Sequence, residues 1–164
     1  MNSSTDTRLN WQWQPWAALA PDTLHAFLKL RSDIFVVEQN CVFSDIDGID
    51  PACEHLCGTD AQGRLRAYLR LVPPGVKSEH PSLGRLVVDA ACRKNGHGRD
   101  AIREGIDHCR RRYPERAIFI SGQQHLEKFY AGLNFYRISE PYLEDGIWHV
   151  NMLLTARTAA ILDR

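Results

Sequence analysis

The segment from Ala91 to Asp100, ACRKNGHGRD, places three basic side chains around two glycines directly after the apolar run GRLVV. The basic residues are Arg93, Lys94 and Arg99. Where a strand ends and a helix begins, the first backbone N–H groups of the helix are free and carry partial positive charge, so they bind anions such as a pyrophosphate. Glycines let phosphate oxygens approach the backbone closely. The spacing therefore predicts a local anion site at a strand-to-helix turn.

The same turn also satisfies a dinucleotide-binding pattern, G-x-G-x-x-A, through Gly96, Gly98 and Ala101. That kind of site needs the glycines in a first βα turn, an acidic residue after the next strand and several further βαβ units. Here the next apolar run, AIFIS, leads into GQQ, and no G-K-[ST] follows the glycines. The surrounding elements therefore favour a phosphate-binding turn that is neither a dinucleotide fingerprint nor a P-loop.

The composition indicates one domain without a global electrostatic preference. The chain has 164 residues, 44% of them hydrophobic, with 20 basic and 20 acidic side chains. Such a balance gives no basic field for nucleic acid, and no apolar run approaches the roughly 18 residues of a membrane span, so neither partner is expected. The five cysteines are an odd number, and the first residues lack a secretion signal pattern. We therefore expect a cytoplasmic protein.

The apolar periodicity predicts the element order βαβββαβαββ, an α/β (α+β) fold. The predicted helices span 21–38, 99–113 and 125–133. The predicted strands span 10–16, 54–59, 64–72, 82–89 and 117–121, followed by a strand pair within 134–155 about an EDG turn. The expected folded domain runs from 10 to 154, with tails at 1–9 and 155–164.

Residues 93–98, RKNGHG, match the R/Q-x-x-G-x-G/A acetyl-CoA signature of the GNAT N-acetyltransferase superfamily. Five further segments resemble its ElaA-type branch, from about residue 10 to 154: LRSDIFVVEQNC, DIDG, GRLVV, HLEKFY and EDGIWHVNM. The resemblance implies a GNAT fold, with a mixed central sheet of about six to seven strands flanked by helices. It also implies acetyl-CoA as co-substrate, an amine acceptor, direct acetyl transfer in a ternary complex, and no metal.

The resemblance also implies which residues hold the co-substrate. Backbone groups of Leu86, Val87 and Val88 are expected to pair with the pantetheine arm like an additional strand. The pyrophosphate is expected on a turn formed by Arg93, Lys94, Asn95, Gly96, His97, Gly98 and Arg99. Members of the family often bind the cofactor through an asparagine at the start of the short helix. The corresponding residues here are QQH, so Gln123 is the candidate for that contact.

Three residues are candidates for proton transfer. The resemblance places Tyr130 near the thioester sulfur, where a phenol can protonate the leaving thiolate; an aromatic on a short helix can also simply pack. The acceptor ammonium must lose a proton, and either Glu38 or His149 is the candidate base. Asn134 stands where the family usually has a glycine after the short helix, and asparagine tolerates the left-handed conformation required there.

The acceptor site is expected to draw on the loops 39–53 and 73–82 and on the last strand pair. Asp45, Asp47 and the neighbouring Asp50 would attract a cationic amine, and Arg31 is a further candidate for binding substrate. Arg85 would orient an acidic group of the substrate or pair with Glu38. The loop also resembles part of an EF-hand, but a phenylalanine holds the first ligand position, so calcium is not expected.

Two other functions stay open from the sequence alone. One is a catalytically silent CoA-binding regulatory module. The other is acyl-homoserine-lactone synthesis, because those enzymes share the fold and a similar R…F…EQ segment. The sequence gives no acceptor identity, and a homodimer stays open.

Overall fold

The structure is a computed structural model that describes residues 7–156, so most of the two predicted tails lies outside the described residues. The strands are β1 Asn10–Pro15, β2 Glu54–Thr59, β3 Leu65–Val72, β4 Ser82–Val88, β5 Ile118–Gln123, β6 Tyr136–Arg137, β7 Tyr142–Glu144 and β8 Ile147–Leu154. The helices are α1 Pro21–Arg31, α2 His97–Arg112 and α3 Glu127–Ala131, and a π-helix, Ser32–Glu38, continues α1. Within 7–156, no helix has both the length and the apolar character needed to cross a bilayer.

The strands form one mixed sheet in the order β1-β2-β3-β4-β5-β8-β6, with β7 also paired to β8. Among the strands within residues 7–156, only β4 and β5 pair in parallel, and the other pairs are antiparallel. The predicted element order is confirmed, but the sheet has eight strands because β6 and β7 pair with different parts of β8. Asp145 and Gly146 join β7 to β8 with φ of 48° and 79°, and two positive φ values are typical of a type I′ hairpin turn.

The helices begin and end close to the predicted residues, with two differences. The first helix covers 21–38 as predicted, but its second half, from Ser32, has the wider π geometry. The second helix begins at His97 rather than Arg99, because Gly96, at φ 82°, ends the turn as N-cap. Gly98 therefore lies inside the first helical turn. Asn134 adopts φ 69°, the left-handed conformation expected at that position.

Each face of the sheet has its own apolar core. The helices α2 and α3 cover one face through residues such as Ile102, Ile106 and Tyr130. On the other face, Phe27 of α1 and Ile34 of the π-helix pack against Tyr68. The two layers hold the sheet rigidly between them, so the strand ends are fixed platforms for a site.

The strands β4 and β5 diverge after a single residue pair, Ser82 with Phe119. A β-bulge in β4 contributes to the divergence: Arg85 and Leu86 stand where β3 has only Leu69, and Arg85 has φ 53°. Bulges bend a strand and increase its local twist. The result is a cleft in the middle of the sheet, between the carboxyl ends of two parallel strands, where α/β folds commonly bind ligands.

Candidate active site

A cavity of about 730 Å³ occupies the cleft between β4 and β5. Its lining comes from both strands, from loop residues within 39–47, from Lys77 and from the β7–β8 hairpin, as the sequence predicts for an acceptor site. Six of the predicted site residues line it: Tyr130, His149, Leu86, Gln123, Arg85 and Asp47. The cavity lining does not include Glu38, Arg31, Asp45 or the turn 93–99.

Tyr130 is held by close packing on the wall of this cavity. Its ring lies against Gly122 of β5 so closely that a Cβ at Gly122 would stand 2.8 Å from the ring carbon Cε2. Phe129 and Phe135 meet the ring edge-on, with centroids at 5.1 and 6.2 Å. Burial raises the pKa of Tyr130 to about 12, so the phenol keeps its proton at neutral pH. The ring of Tyr130 is therefore packed, and the residue also lines the cavity, while its role near a thioester sulfur stays a prediction.

His149 lies on β8 opposite Gln123 of β5. Its Nδ1 donates a hydrogen bond to the carbonyl oxygen of Ile147 at 2.8 Å, which fixes the tautomer and leaves Nε2 as an acceptor. Glu144 Oε2 lies 3.8 Å from that Nε2, and the Tyr142 ring stacks on the imidazole with centroids 6.0 Å apart. An oriented imidazole with a free lone pair in a cavity is suited to accept a proton.

Glu38, the other predicted base, has different surroundings. Its carboxylate pairs with the Arg93 guanidinium at 2.7 Å at an exposed position outside the cavity lining. The hydrogen bond from Arg93 lowers the pKa of Glu38. The suggested pairing of Arg85 with Glu38 is wrong, because Arg85 pairs with Asp45 and Asp47 instead.

The predicted phosphate turn lies where β4 gives way to α2. The N–H groups of the first three residues of α2, His97 to Arg99, precede the first helical hydrogen bond, from Asp100 N–H to the Gly96 oxygen at 3.0 Å. Within the described part of the chain, no heavy atom other than those of its two sequence neighbours lies within 4 Å of a Cβ built at Gly96, so the space beside this residue is open. His97 is 5% exposed, and its Nδ1 lacks a partner among residues 7–156. The chain can therefore offer unpaired donors to an anion here.

The edge of β4 that faces β5 is also available beyond Ser82. Arg93 Nε donates to the carbonyl oxygen of Val88 at 3.3 Å, so this oxygen points away from β3. Val87 packs into the core beneath α1, whereas Leu86 lines the cavity. The flanking residues of the turn are tied locally: Asn95 bonds the Cys92 oxygen, and the Arg99 guanidinium covers the Phe129 ring at 5.6 Å. Lys94, at φ 67°, completes the turn.

A short segment, residues 38–41, connects three walls of the site, and we call it the 38–41 segment. Glu38 binds Arg93 of the phosphate turn, and Gln39 accepts a hydrogen bond from the Gln123 amide at the end of β5 at 3.1 Å. Cys41 Sγ donates to the Asp145 oxygen in the β7–β8 turn at 3.1 Å. The end of the π-helix is thereby joined to the phosphate turn, to the end of β5 and to the β7–β8 turn.

The aspartates of the expected acidic rim are neutralised by a buried network. Arg31, which is fully buried, bonds Asp45 Oδ2 at 2.9 Å and Asp50 Oδ1 at 2.8 Å. Arg70 bonds Asp50 at 2.9 Å and Asp47 at 2.8 Å, and Arg85 lies 3.3 Å from Asp47. Burial raises the pKa of Asp47 and Asp50, but the bonds from the arginines outweigh it and hold both below their usual range. The rim is therefore not an acidic surface that attracts amines, and Arg31 acts beneath the site.

Sequence reasoning missed a polar chain on the cavity wall. Tyr142 donates its hydroxyl proton to Asn151 Oδ1 at 2.8 Å and bonds the Ser121 hydroxyl. All three residues line the cavity. The alternation of side chains along a strand could have indicated Asn151, because it lies two residues from His149 and therefore on the same face of β8. No pattern in the sequence indicates that Arg70 pairs with Asp47 and Asp50.

Comparison with known proteins identifies the class. The model of the acetyltransferase (GNAT) domain family matches residues 54–156. That match takes in the cleft strands, the phosphate turn, Tyr130 and His149. The chain belongs to the GNAT acetyltransferase family.

Relatives within the family include proteins named ElaA and UPF0039. A UPF0039 protein of Synechocystis is 38% identical over 145 residues, which cover 88% of this chain and 94% of the relative. Protein ElaA of Escherichia coli is 34% identical over 146 residues, covering 88% and 95%. The sequence resemblance to the ElaA-type branch is thereby confirmed.

Solved structures agree with this placement. An acyl-CoA N-acyltransferase from Pseudomonas aeruginosa superposes with a TM-score of 0.84 at 34% identity, covering 88% of this chain and 98% of that one. The crystal structure of Escherichia coli ElaA gives 0.83 at 33% identity, with the same coverage. The predicted mixed sheet flanked by helices is thus the fold of acyl-CoA N-acyltransferases.

Proposed function

We propose that this protein is an acetyl-CoA-dependent N-acetyltransferase that moves the acetyl group directly to an amine in a ternary complex. The observation that carries the proposal is that Tyr130 and His149 line one cavity at the point where β4 and β5 diverge. One residue offers a proton and the other a lone pair, which are the two needs of acyl transfer to nitrogen. Membership of the GNAT family supports the same chemistry.

The surrounding backbone fits acetyl-CoA as the acetyl donor. Three unpaired N–H groups at the start of α2, with Arg93, Lys94 and Arg99 beside them, suit a pyrophosphate. The edge of β4 from Leu86 to Val88 does not pair with β5, and the Arg93 side chain bonds its Val88 oxygen. This edge suits the amides of a pantetheine arm, since strand edges bind extended groups through main-chain hydrogen bonds. Gln123 lies across the cleft at the end of β5. Acetyl-CoA supplies a thioester whose carbonyl carbon is open to attack by an amine.

The residues of the chain then have complementary roles. The nitrogen lone pair of the amine forms the new C–N bond as the C–S bond breaks. His149 Nε2 takes the proton that the amine loses, while Ile147 holds the opposite ring nitrogen in place. Tyr130 gives its hydroxyl proton to the leaving thiolate, and its packing against Gly122 keeps that hydroxyl at one position. An acceptor that arrives as an ammonium first loses one proton to solvent; the neutral amine then gives one proton to His149 and the thiolate takes one from Tyr130, so the transfer step balances.

Release of CoA thiol from acetyl-CoA with a panel of amines tests this proposal. We expect turnover with at least one amine and a fall in kcat of about a hundredfold in Tyr130→Phe, which removes one general acid. The matched control is Tyr136→Phe on the half-exposed strand β6, with activity unchanged. CoA binding with no turnover on any amine, and no effect of Tyr130→Phe, would indicate a CoA-binding regulatory module instead.

A further inference from the structure

One wall of the cavity carries more positive than negative charge, and we call it the cationic wall. Its three lining cations are Arg70, Arg85 and Lys77. The arginines compensate the buried aspartates, with Arg31 as the third guanidinium opposite three carboxylates. Lys77 is therefore the excess cation: its Nζ lies 3.8 Å from Asp47, and half of its side chain is exposed.

Arg85 lines the cavity, with its guanidinium over the Phe43 ring at 5.6 Å and one nitrogen unpaired among the described residues. Its Nη2 bonds the Asp45 main-chain oxygen at 3.0 Å and Asp47 at 3.3 Å. Its Nε lies 2.8 Å from Asp45 Oδ1, although the N–H does not point at that oxygen. The remaining nitrogen, Nη1, has no hydrogen-bond partner among the described residues. A guanidinium with free donors and a partly exposed tip is suited to a planar carboxylate.

The opposite wall has the reverse polarity, and we call it the anionic wall. It is the β7–β8 hairpin, from which Glu144, Asp145 and His149 line the cavity. Within residues 7–156, neither carboxylate pairs with a lysine or an arginine, and Glu144 faces only His149, at 3.8 Å. An ammonium group is attracted to this wall and would arrive beside the candidate base.

We infer that the acceptor is an amine that also carries a carboxylate, which the two walls orient in opposite directions. This inference rests on the proposed function and names its substrate class. The carboxylate binds Arg85 Nη1 and the Lys77 ammonium on the cationic wall. The amine binds at the anionic wall, within reach of His149, with Tyr130 in the same cavity. Because the charges at the two ends differ, only one orientation of the acceptor places its nitrogen at the base.

Matched acceptor pairs test the inference in the acetylation assay. Each pair replaces the sole carboxylate of the acceptor by a neutral carboxamide of the same shape: γ-aminobutyrate with γ-aminobutyramide, alanine with alaninamide, and the dipeptide Ala-Ala with its C-terminal amide. The first two pairs represent free amino acids, and the third represents peptides. We expect kcat/KM to favour the acid by about tenfold in at least one pair, as for a charge-assisted hydrogen bond.

Three variants link that preference to the cationic wall. Lys77→Gln and Arg85→Gln are each expected to reduce the acid-to-amide ratio by about threefold or more. The matched control is Lys29→Gln, which also removes a lysine–aspartate pair, with Asp33, but lies outside the cavity lining. The acid-to-amide ratio of kcat/KM in Lys29→Gln is expected to equal that of the unaltered protein. Lys77 is half exposed, so its variant keeps the test valid even if Arg85→Gln does not fold.

The outcomes separate this inference from the proposed function. Equal kcat/KM for acid and amide in all three pairs, in an active enzyme, overturns the inference and leaves the function standing. If no amine is acetylated, calorimetry of the same pairs on the CoA-saturated protein decides. If the acid binds more tightly than the amide, and Lys77→Gln abolishes that difference, the inferred carboxylate site is supported and the proposed acetyl transfer is overturned. If acid and amide bind equally, both the inference and the proposed function are overturned.

Discussion

The surroundings of Glu38 and His149 separate the two bases that the sequence left open. Glu38 is paired with Arg93 and lies outside the cavity lining, and the pairing lowers its pKa. A carboxylate held by a guanidinium is a weaker proton acceptor. His149 lines the cavity, and the hydrogen bond from its Nδ1 to the Ile147 oxygen orients the ring. We therefore expect Glu38 to hold Arg93 at the phosphate turn rather than to act as the base.

We predict that the two positions respond differently to the same kind of change. His149→Gln is expected to lower kcat by about a hundredfold, since it removes the base, with little change in the Kd for acetyl-CoA. Glu38→Gln is expected to change kcat by less than about threefold and to make the Kd for acetyl-CoA more sensitive to salt, because Arg93 is released. Steady-state kinetics and calorimetry measure both. His125→Gln is the exposed control, and a larger kcat loss in Glu38→Gln would reverse the assignment.

At the scale of elements, the two glycines of the phosphate turn have different roles. Gly96 is the N-cap of α2 at φ 82°, a conformation that any side chain strains, so a substitution there also costs folding free energy. Gly98 is helical, and a Cβ built on it meets only ordinary contacts, at 3.9 Å from Val88 and 4.0 Å from Leu86 and Phe129. Gly98 is therefore the position at which binding and folding can be separated.

We predict that Gly98→Val folds normally yet binds acetyl-CoA about tenfold more weakly, whereas Gly98→Ala, which the signature also permits, keeps its affinity. Valine has a slightly higher helix propensity than glycine, so Tm is expected to stay level. The added isopropyl group occupies space beside the free N–H groups of α2, where a pyrophosphate oxygen would approach. Thermal unfolding and calorimetry measure the two effects. Unchanged affinity in folded Gly98→Val would place the pyrophosphate elsewhere.

The sequence predicted elements better than it predicted contacts. Helices and strands follow from periodicity within one segment, which is why the first helix and the β2–β3 hairpin lie where expected. The partners of Asp45, Asp47 and Asp50 come from α1, β3 and β4, and no local pattern indicates them. The start of α2 was misplaced because the tolerance of Gly96 for positive φ decides it, not apolar spacing.

At the scale of the whole molecule, a buried histidine lies in the core between the sheet and the helix α1. His55 is fully buried; its Nε2 donates to the Asp50 oxygen at 3.0 Å, and its Nδ1 accepts from the Tyr68 hydroxyl at 2.7 Å. The Phe27 ring stacks on it at 4.9 Å. Burial lowers the pKa of His55, so the folded protein holds the ring neutral. This residue couples the aspartate loop to the core beneath α1.

We predict that stability falls on acidification in two stages. The pKa of His55 in the folded protein lies below its ordinary value of 6.5, so the unfolded chain takes up the proton first. The contribution of the neutral His55 ring to the free energy of unfolding is complete above about pH 6.5. It is lost as the pH falls below that value, and the free energy of unfolding falls by at most about 1.4 kcal/mol per pH unit. The lowered carboxyl pKa values of Asp47 and Asp50 add a second loss below their ordinary value of 3.8.

Urea unfolding between pH 8 and 3 measures both stages. His55→Gln is expected to be less stable than the original protein at pH 8, and its first stage is expected to be missing while the second remains. A first stage of the same size in His55→Gln would assign it to another group.

The ties made by the 38–41 segment have a consequence for the order in which the chain folds. They join residues that are 55, 84 and 104 positions apart in the sequence. Closing such long loops is entropically costly until the sheet has brought their ends together. The walls of the cavity are therefore expected to join last during folding. By the same reasoning they separate first in local opening, which would expose the cavity while the sheet stays intact.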